Sequence, residues 1–111
     1  MKTKLTDRYT VLIDERDSAS NFASFLERIV PEKFEDQNLI VDLDKYDSLT
    51  LPDLLMFLKL STYHRSTKHS FVIVNNAVPI DDVPLEMTVV PTMQEAFDIV
   101  EMEEIERDLG F

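Results

Sequence analysis

The 111-residue chain is close to the commonest length of a single domain, and 44% hydrophobic residues suffice for one core. Its net charge is -11, and residues 81–111 carry ten acidic side chains and one basic one. This charge argues against nucleic acid and anionic membrane surfaces as partners and favours a basic protein partner. Cysteine is absent and no apolar run approaches a membrane span, so we expect a cytoplasmic protein without disulfides or thiolate metal sites.

The first half of the chain predicts a strand, a helix and a second strand. Residues 9–13 (YTVLI) are β-branched and aromatic, which is typical of a strand. Asp17 or Ser18 then caps a helix whose apolar residues recur at helical spacing. Residues 39–43 (LIVDL) form a short, mostly apolar run, as expected for a strand that is covered on both faces.

The second half predicts two more strands and two helices. Thr50 suits a helix N-cap, with Pro52 in the first turn and Asp53 at the third helical position. Residues 71–74 and 87–90 are apolar and predict strands, and a T-x-x-E capping box at residues 92–95 opens an acidic C-terminal helix. The order β-α-β-α-β-β-α predicts one α/β domain over residues 1–111, with a four-stranded, mostly parallel sheet and three helices.

The segment NLIVDLDKYDSLTLPDLLMFLKL, followed by FVIVNN, resembles the signature of the STAS domain (sulfate transporter and anti-sigma factor antagonist). The resemblance covers roughly residues 9–105. The matching residues are Val41, Asp42 and Leu43 at a strand end, Leu54, Leu55 and Leu58 in the following helix, Val72, Val74 and Asn75 at the next strand, and Thr92, Glu95 and Ala96 at the last helix. It implies a STAS-like fold and a regulatory, non-enzymatic protein-interaction module without cofactors, similar to an anti-sigma factor antagonist.

The chain departs from the STAS pattern at the loop that opens the Leu-rich helix. Proline stands where the family has a phosphorylated serine, and an aspartate stands in place of the glycine. Ser48 and Thr50 are the nearest hydroxyls and are the candidate phosphorylation sites. We expect this loop to contact a protein partner through Ser48, Thr50, Leu51, Pro52 and Asp53; the alternative is that Thr50 and Asp53 only cap a buried helix.

Two charged clusters are further candidates for partner binding. In the acidic C-terminal helix, Met102, Ile105, Leu109 and Phe111 interleave with acids, an arrangement that favours a basic groove. The acids expected to bind are Glu101, Glu103, Glu104 and Glu106. The basic cluster lies at a polar helix end, where it either binds an anion or the acidic tail of a second copy, giving a homodimer, or complements the helix dipole. Its members are Lys59, His64, Arg65, Lys68 and His69.

Two alternatives differ from an interaction module. The acids Asp14, Glu15, Asp42, Asp44, Asp47 and Asp53 would belong to a receiver-like phosphoryl-accepting switch. The chain, with its ending EMEEIERDLGF, also resembles a group of short bacterial proteins often labelled ribonuclease Z, which suggests a non-catalytic accessory of a nuclease. The zinc motif of that enzyme, H-x-H-x-D-H, is missing, because the only histidines in the sequence are five residues apart. We therefore expect no metal site. The partner's identity and the oligomeric state stay open.

Overall fold

The structure is a computed structural model and describes residues 1–110. Five strands form one sheet with helices on both faces, which confirms the α/β class. The strands are β1 (Lys2–Leu5), β2 (Thr10–Ile13), β3 (Leu39–Asp42), β4 (Phe71–Val74) and β5 (Thr88–Val90). The helices are α1 (Ala19–Lys33), α2 (Leu51–Leu55), α3 (Leu58–Ser66) and α4 (Met93–Asp108), with a 3-10 helix at Ile80–Asp82.

The sheet order is β1-β2-β3-β4-β5, in which β2 to β5 are parallel and β1 is antiparallel to β2. The prediction of four strands is therefore wrong by one edge strand, and the chain begins with a hairpin. The sequence KTKL of β1 does not predict a strand, because only Leu5 is apolar. In the structure all four residues are exposed. Thr6 closes the turn after β1, since its Oγ1 donates to the Tyr9 carbonyl over 3.0 Å.

Alternate residues of the parallel strands face two different helix layers. One face packs against α1, α2, α3 and the crossover between β4 and β5, around Leu12, Val41 and Ile73. The other face is covered by α4 alone. This smaller core contains Val11, Ile40, Val72 and Val74 of the sheet with Ala96 and Val100 of α4. The three strands β2, β3 and β4 therefore bury side chains on both faces, as parallel strands usually do, whereas the edge strand β5 buries only Val89.

The Leu-rich helix after the second parallel strand is two helices, where the sequence predicts one. At the junction, the Phe57 N–H bonds to the Leu54 carbonyl three residues back over 3.0 Å, which interrupts the ladder of four-residue bonds. The break places Phe57 in the core, where its ring packs edge-on against Phe22 of α1 with centroids 6.4 Å apart. Of the two predicted caps of α1, Ser18 is the N-cap and accepts a bond from the Asn21 N–H.

Candidate functional site

The candidate site lies at the carboxyl edge of the parallel strands, where the loops after β2 and β3 meet the starts of α1 and α2. An open cleft of about 450 Å³ separates these loops. Its polar lining residues include Asp17, Ser18, Ser20, Lys45, Asp47 and Ser48. This is the edge at which open α/β sheets present residues to ligands and partners.

The two loops are held together by bonds between Asp14, Lys45 and Tyr46. The Tyr46 hydroxyl donates to the Asp14 carboxylate, which is buried and also accepts the Arg16 N–H over 2.9 Å. Lys45 Nζ donates to the Asp14 carbonyl over 2.8 Å and lies 3.6 Å from an Asp17 carboxylate oxygen. Burial, together with the bond to Asp14, holds the pKa of the Tyr46 phenol above its ordinary value. The polar groups of this edge therefore fix its shape.

Asn75 anchors the same loop from the end of β4. Its side-chain amide donates to the Leu43 carbonyl over 2.8 Å and to the Tyr46 carbonyl over 3.1 Å, and its Oδ1 accepts the Ala77 N–H over 2.8 Å. Asn75 is buried, and all three bonds satisfy groups inside the protein. In the sequence, Asn75 is one of the residues that match the family, and its position directly after an apolar strand is the signal for this anchoring role.

The helix start after this loop has the predicted cap. Thr50 Oγ1 accepts the Asp53 N–H over 3.3 Å, and the Asp53 carboxylate accepts the Thr50 N–H over 3.2 Å. The Thr50 hydroxyl itself donates to Asp53 Oδ2 over 2.9 Å. Ser48 is exposed at the cleft. A phosphate on Thr50 would break the cap and face the Asp53 carboxylate, whereas a phosphate on Ser48 would leave these bonds intact.

Exposed apolar side chains continue this surface along α2. Leu55 is 39% exposed and Met56 is 41% exposed. Pro52 is exposed beside them, while Leu51 is half-buried against the larger core. The five residues predicted to contact a partner thus lie on one stretch, in which Thr50 and Asp53 cap the helix, Ser48 and Asp53 line the cleft, and Pro52 is exposed.

The acids predicted to bind a partner from α4 do not share one environment. Glu101 and Glu106 are exposed, whereas Glu103 and Glu104 are half-buried at the amino ends of β3 and β4. There Glu103 accepts a bond from Ser70 over 2.5 Å, and Glu104 accepts one from Asn38 over 2.6 Å. Asn38 and Ser70 also accept bonds from Arg107 Nη2, so this network secures the last turns of α4 to the sheet. Asn38 and Ser70 were not predicted.

The predicted basic cluster loses one member to the protein interior. His64 is fully buried, which contradicts the expectation of a polar helix end. Its Nε2 lies 2.6 Å from the Gln37 carbonyl oxygen, so Nε2 carries the proton and Nδ1 is a bare acceptor with no partner among residues 1–110. Burial lowers the pKa of His64. Arg65 is paired with Glu103 at 3.5 Å and donates to Thr88 over 3.0 Å, while Lys68 stays exposed.

The remaining acids of the receiver-like alternative have different surroundings: Asp47 and Asp53 line the cleft, and the others bond to neighbouring groups. Asp42 accepts the N–H of Asp44, and Glu15 pairs with the amino terminus at 3.0 Å, a bond that lowers the pKa of its carboxyl. Over residues 1–110, no three His, Asp or Glu side chains come together as metal ligands do.

No protein-family model and no curated protein sequence matches the chain. None of the helices in the described part of the chain is long and apolar enough to cross a membrane.

Proposed function

We propose that the protein is a non-enzymatic interaction module in which the start of α2 presents a constant surface to a partner protein. The observation that carries this proposal is a fixed loop followed by exposed apolar side chains: Asn75 and Tyr46 fix the loop, and Leu55 and Met56 are exposed in the helical turn that follows it. A preformed surface lowers the ordering cost of binding. Apolar side chains at its centre then supply the contact area.

The resemblance to the STAS family supports the same role. The strand end and the Leu-rich segment that carry the resemblance flank this loop, and Thr50 and Asp53 cap the helix that opens the segment. Because Pro52 has no hydroxyl, the surface is not switched at that position, and a regulatory phosphate would be carried by Ser48, which is exposed and outside the cap. The acidic charge favours a basic partner, and the cytoplasm is the proposed location.

The test compares two charge-introducing double variants in an affinity purification from the native host. Leu55→Glu with Met56→Glu alters the proposed surface. The matched control, Ile80→Glu with Leu85→Glu, places the same charges on side chains that are 73% and 100% exposed in the crossover before β5.

We expect a stoichiometric partner of the wild-type chain to be lost with the first pair and retained with the second. Free energies of unfolding of both variants within about 0.5 kcal/mol of wild type establish that the fold is intact. If every partner stays bound to the first variant at the wild-type ratio, the surface at α2 is not the interface.

A further inference from the structure

The helix α4 has a second apolar face that points away from the sheet. Met102 is 50% exposed, Ile105 is 53% exposed and Leu109 is 68% exposed. Their spacing of three and four residues places them on one side of the helix. The sheet-facing side is formed by other residues, with Ala96 and Val100 fully buried against the strands. We call Met102, Ile105 and Leu109 the outer stripe.

Acidic side chains border the outer stripe on both sides. Helical spacing places Glu101 and Asp108 along one border and Glu106 along the other, and all three are exposed. The only basic residue of α4, Arg107, is turned inward and donates to Asn38 over 3.1 Å. Arg8, in the turn after β1, lies 3.6 Å from Glu101 at one border, and Lys68 lines a cleft with Glu106 at the other. The outward surface of the last two turns is therefore apolar at its centre, and the carboxylates around it outnumber the cations.

We infer that the outer stripe binds a basic amphipathic helix of a partner protein. Such a helix places apolar side chains on Met102, Ile105 and Leu109, and its Lys or Arg side chains meet the bordering carboxylates. A second copy of this chain is a poorer occupant, because two stripes facing each other would bring six carboxylates into a single interface, where they outnumber the Arg8 and Lys68 cations of the two copies. The chemistry of the border thus selects the partner.

This inference deepens the proposed interaction function and rests on it, but it uses a different surface. The outer stripe lies on the face of the sheet covered by α4, whereas the start of α2 lies on the opposite face. Variants at one surface leave the other unchanged, so the failure of either proposal is seen separately.

The test measures binding of a synthetic helical peptide of leucine and lysine, with the leucines on one face, to the full chain by fluorescence anisotropy. The stripe variant Met102→Gln, Ile105→Gln, Leu109→Gln removes the apolar contact without changing charge. Its matched control is Ile80→Gln with Leu85→Gln. A border variant, Glu101→Gln, Glu106→Gln, Asp108→Asn, is compared with Asp81→Asn, Asp82→Asn, Glu86→Gln, which removes the same charge from the crossover.

We expect the stripe and border variants each to weaken peptide binding by at least about tenfold relative to their controls, since a few central residues carry most of the binding energy. Equal affinities for the stripe variant and its control would refute the inference, because charge alone would then explain binding. Sedimentation equilibrium is the second readout. A wild-type dimer that the stripe variant dissociates would also refute it and would assign the stripe to a second copy.

Discussion

At the scale of single residues, the buried imidazole of His64 makes stability depend on pH. Burial lowers its pKa in the folded protein, while the unfolded chain titrates near the ordinary value of about 6.5. The unfolded state therefore binds the proton more tightly between these two pKa values, so stability is full above about pH 6.5 and falls as the pH drops below it. The loss levels off once the folded protein is itself protonated.

Urea unfolding at pH 7.5, 6.5 and 5.5 measures this effect. We expect the midpoint of the wild-type chain to fall across that range and the midpoint of His64→Gln to fall less, because glutamine keeps a donor for the Gln37 carbonyl but does not titrate. His69→Gln is the control, since His69 is only partly buried. The same pH slope in His64→Gln and wild type would show that another group is responsible.

Asn75 is the residue on which the shape of the loop after β3 depends most. Asn75→Ala removes the donor to the Leu43 and Tyr46 carbonyls and leaves the Ala77 N–H without its acceptor. We expect a loss of about 1–3 kcal/mol in the free energy of unfolding, because buried polar groups lose their partners. Amide hydrogen exchange of residues 43–49 should accelerate as well.

Asn76→Ala is the matched control, since Asn76 is exposed and next in sequence. We expect it to change stability by less than about 0.5 kcal/mol. Unchanged exchange of residues 43–49 in Asn75→Ala would mean that the bonds among Asp14, Lys45 and Tyr46 suffice to hold the loop.

At the scale of elements, two hydroxyls lie near the start of α2, of which that of Thr50 caps the helix and that of Ser48 does not. Thr50→Ala removes both bonds of its side chain and should cost about 1 kcal/mol, whereas Thr50→Ser keeps the hydroxyl and should cost less. Ser48→Ala, at an exposed position outside the cap, should leave the unfolding midpoint near wild type. Chemical denaturation of the three variants tests this order. Equal effects of Thr50→Ala and Ser48→Ala would contradict the structural role of the cap.

The elements that the sequence predicted well are those with a strong local signal. The apolar runs at Phe71–Val74 and Leu39–Asp42 are buried strands, and the Thr50 and Thr92 caps start helices, since both depend on neighbouring residues. The edge strand Lys2–Leu5 was missed because it is held by pairing with β2 and not by burial of its own side chains. Pairing partners distant in sequence leave no local pattern.

In the candidate site too, features with a local signal were predictable and features that depend on distant residues were not. The helix start from Thr50 to Asp53 was predictable, because a cap is read from four adjacent residues. The burial of His64 and the use of Glu103 and Glu104 inside the protein were not, since their partners Gln37, Ser70 and Asn38 are far from them in sequence. A run of acids indicates a solvated helix face, but tertiary contacts decide which of them are withdrawn from solvent.

At the scale of the whole molecule, the two faces of the sheet are covered unequally. Three helices and the crossover cover one face, while α4 alone covers the other. The acidic segment after residue 80 therefore combines two roles in a single helix: its inner side completes the second core, and its outer side presents the outer stripe. Substitutions that test the outer stripe must leave the inner side intact, which is why only exposed positions are changed there.

The inner role of α4 predicts that the chain does not fold without it. Removing residues 92–111 exposes Val11, Ile40, Val72 and Val74, and burial of four such side chains contributes about 6–12 kcal/mol. That is comparable to the total stability of a domain, about 5–15 kcal/mol. We expect the 1–91 chain to lack a cooperative urea transition by circular dichroism. A 1–108 chain should keep it, because the side chain of Leu109 is mostly exposed. A cooperative transition in the 1–91 chain would mean that the larger core, around α1 and α3, suffices for folding.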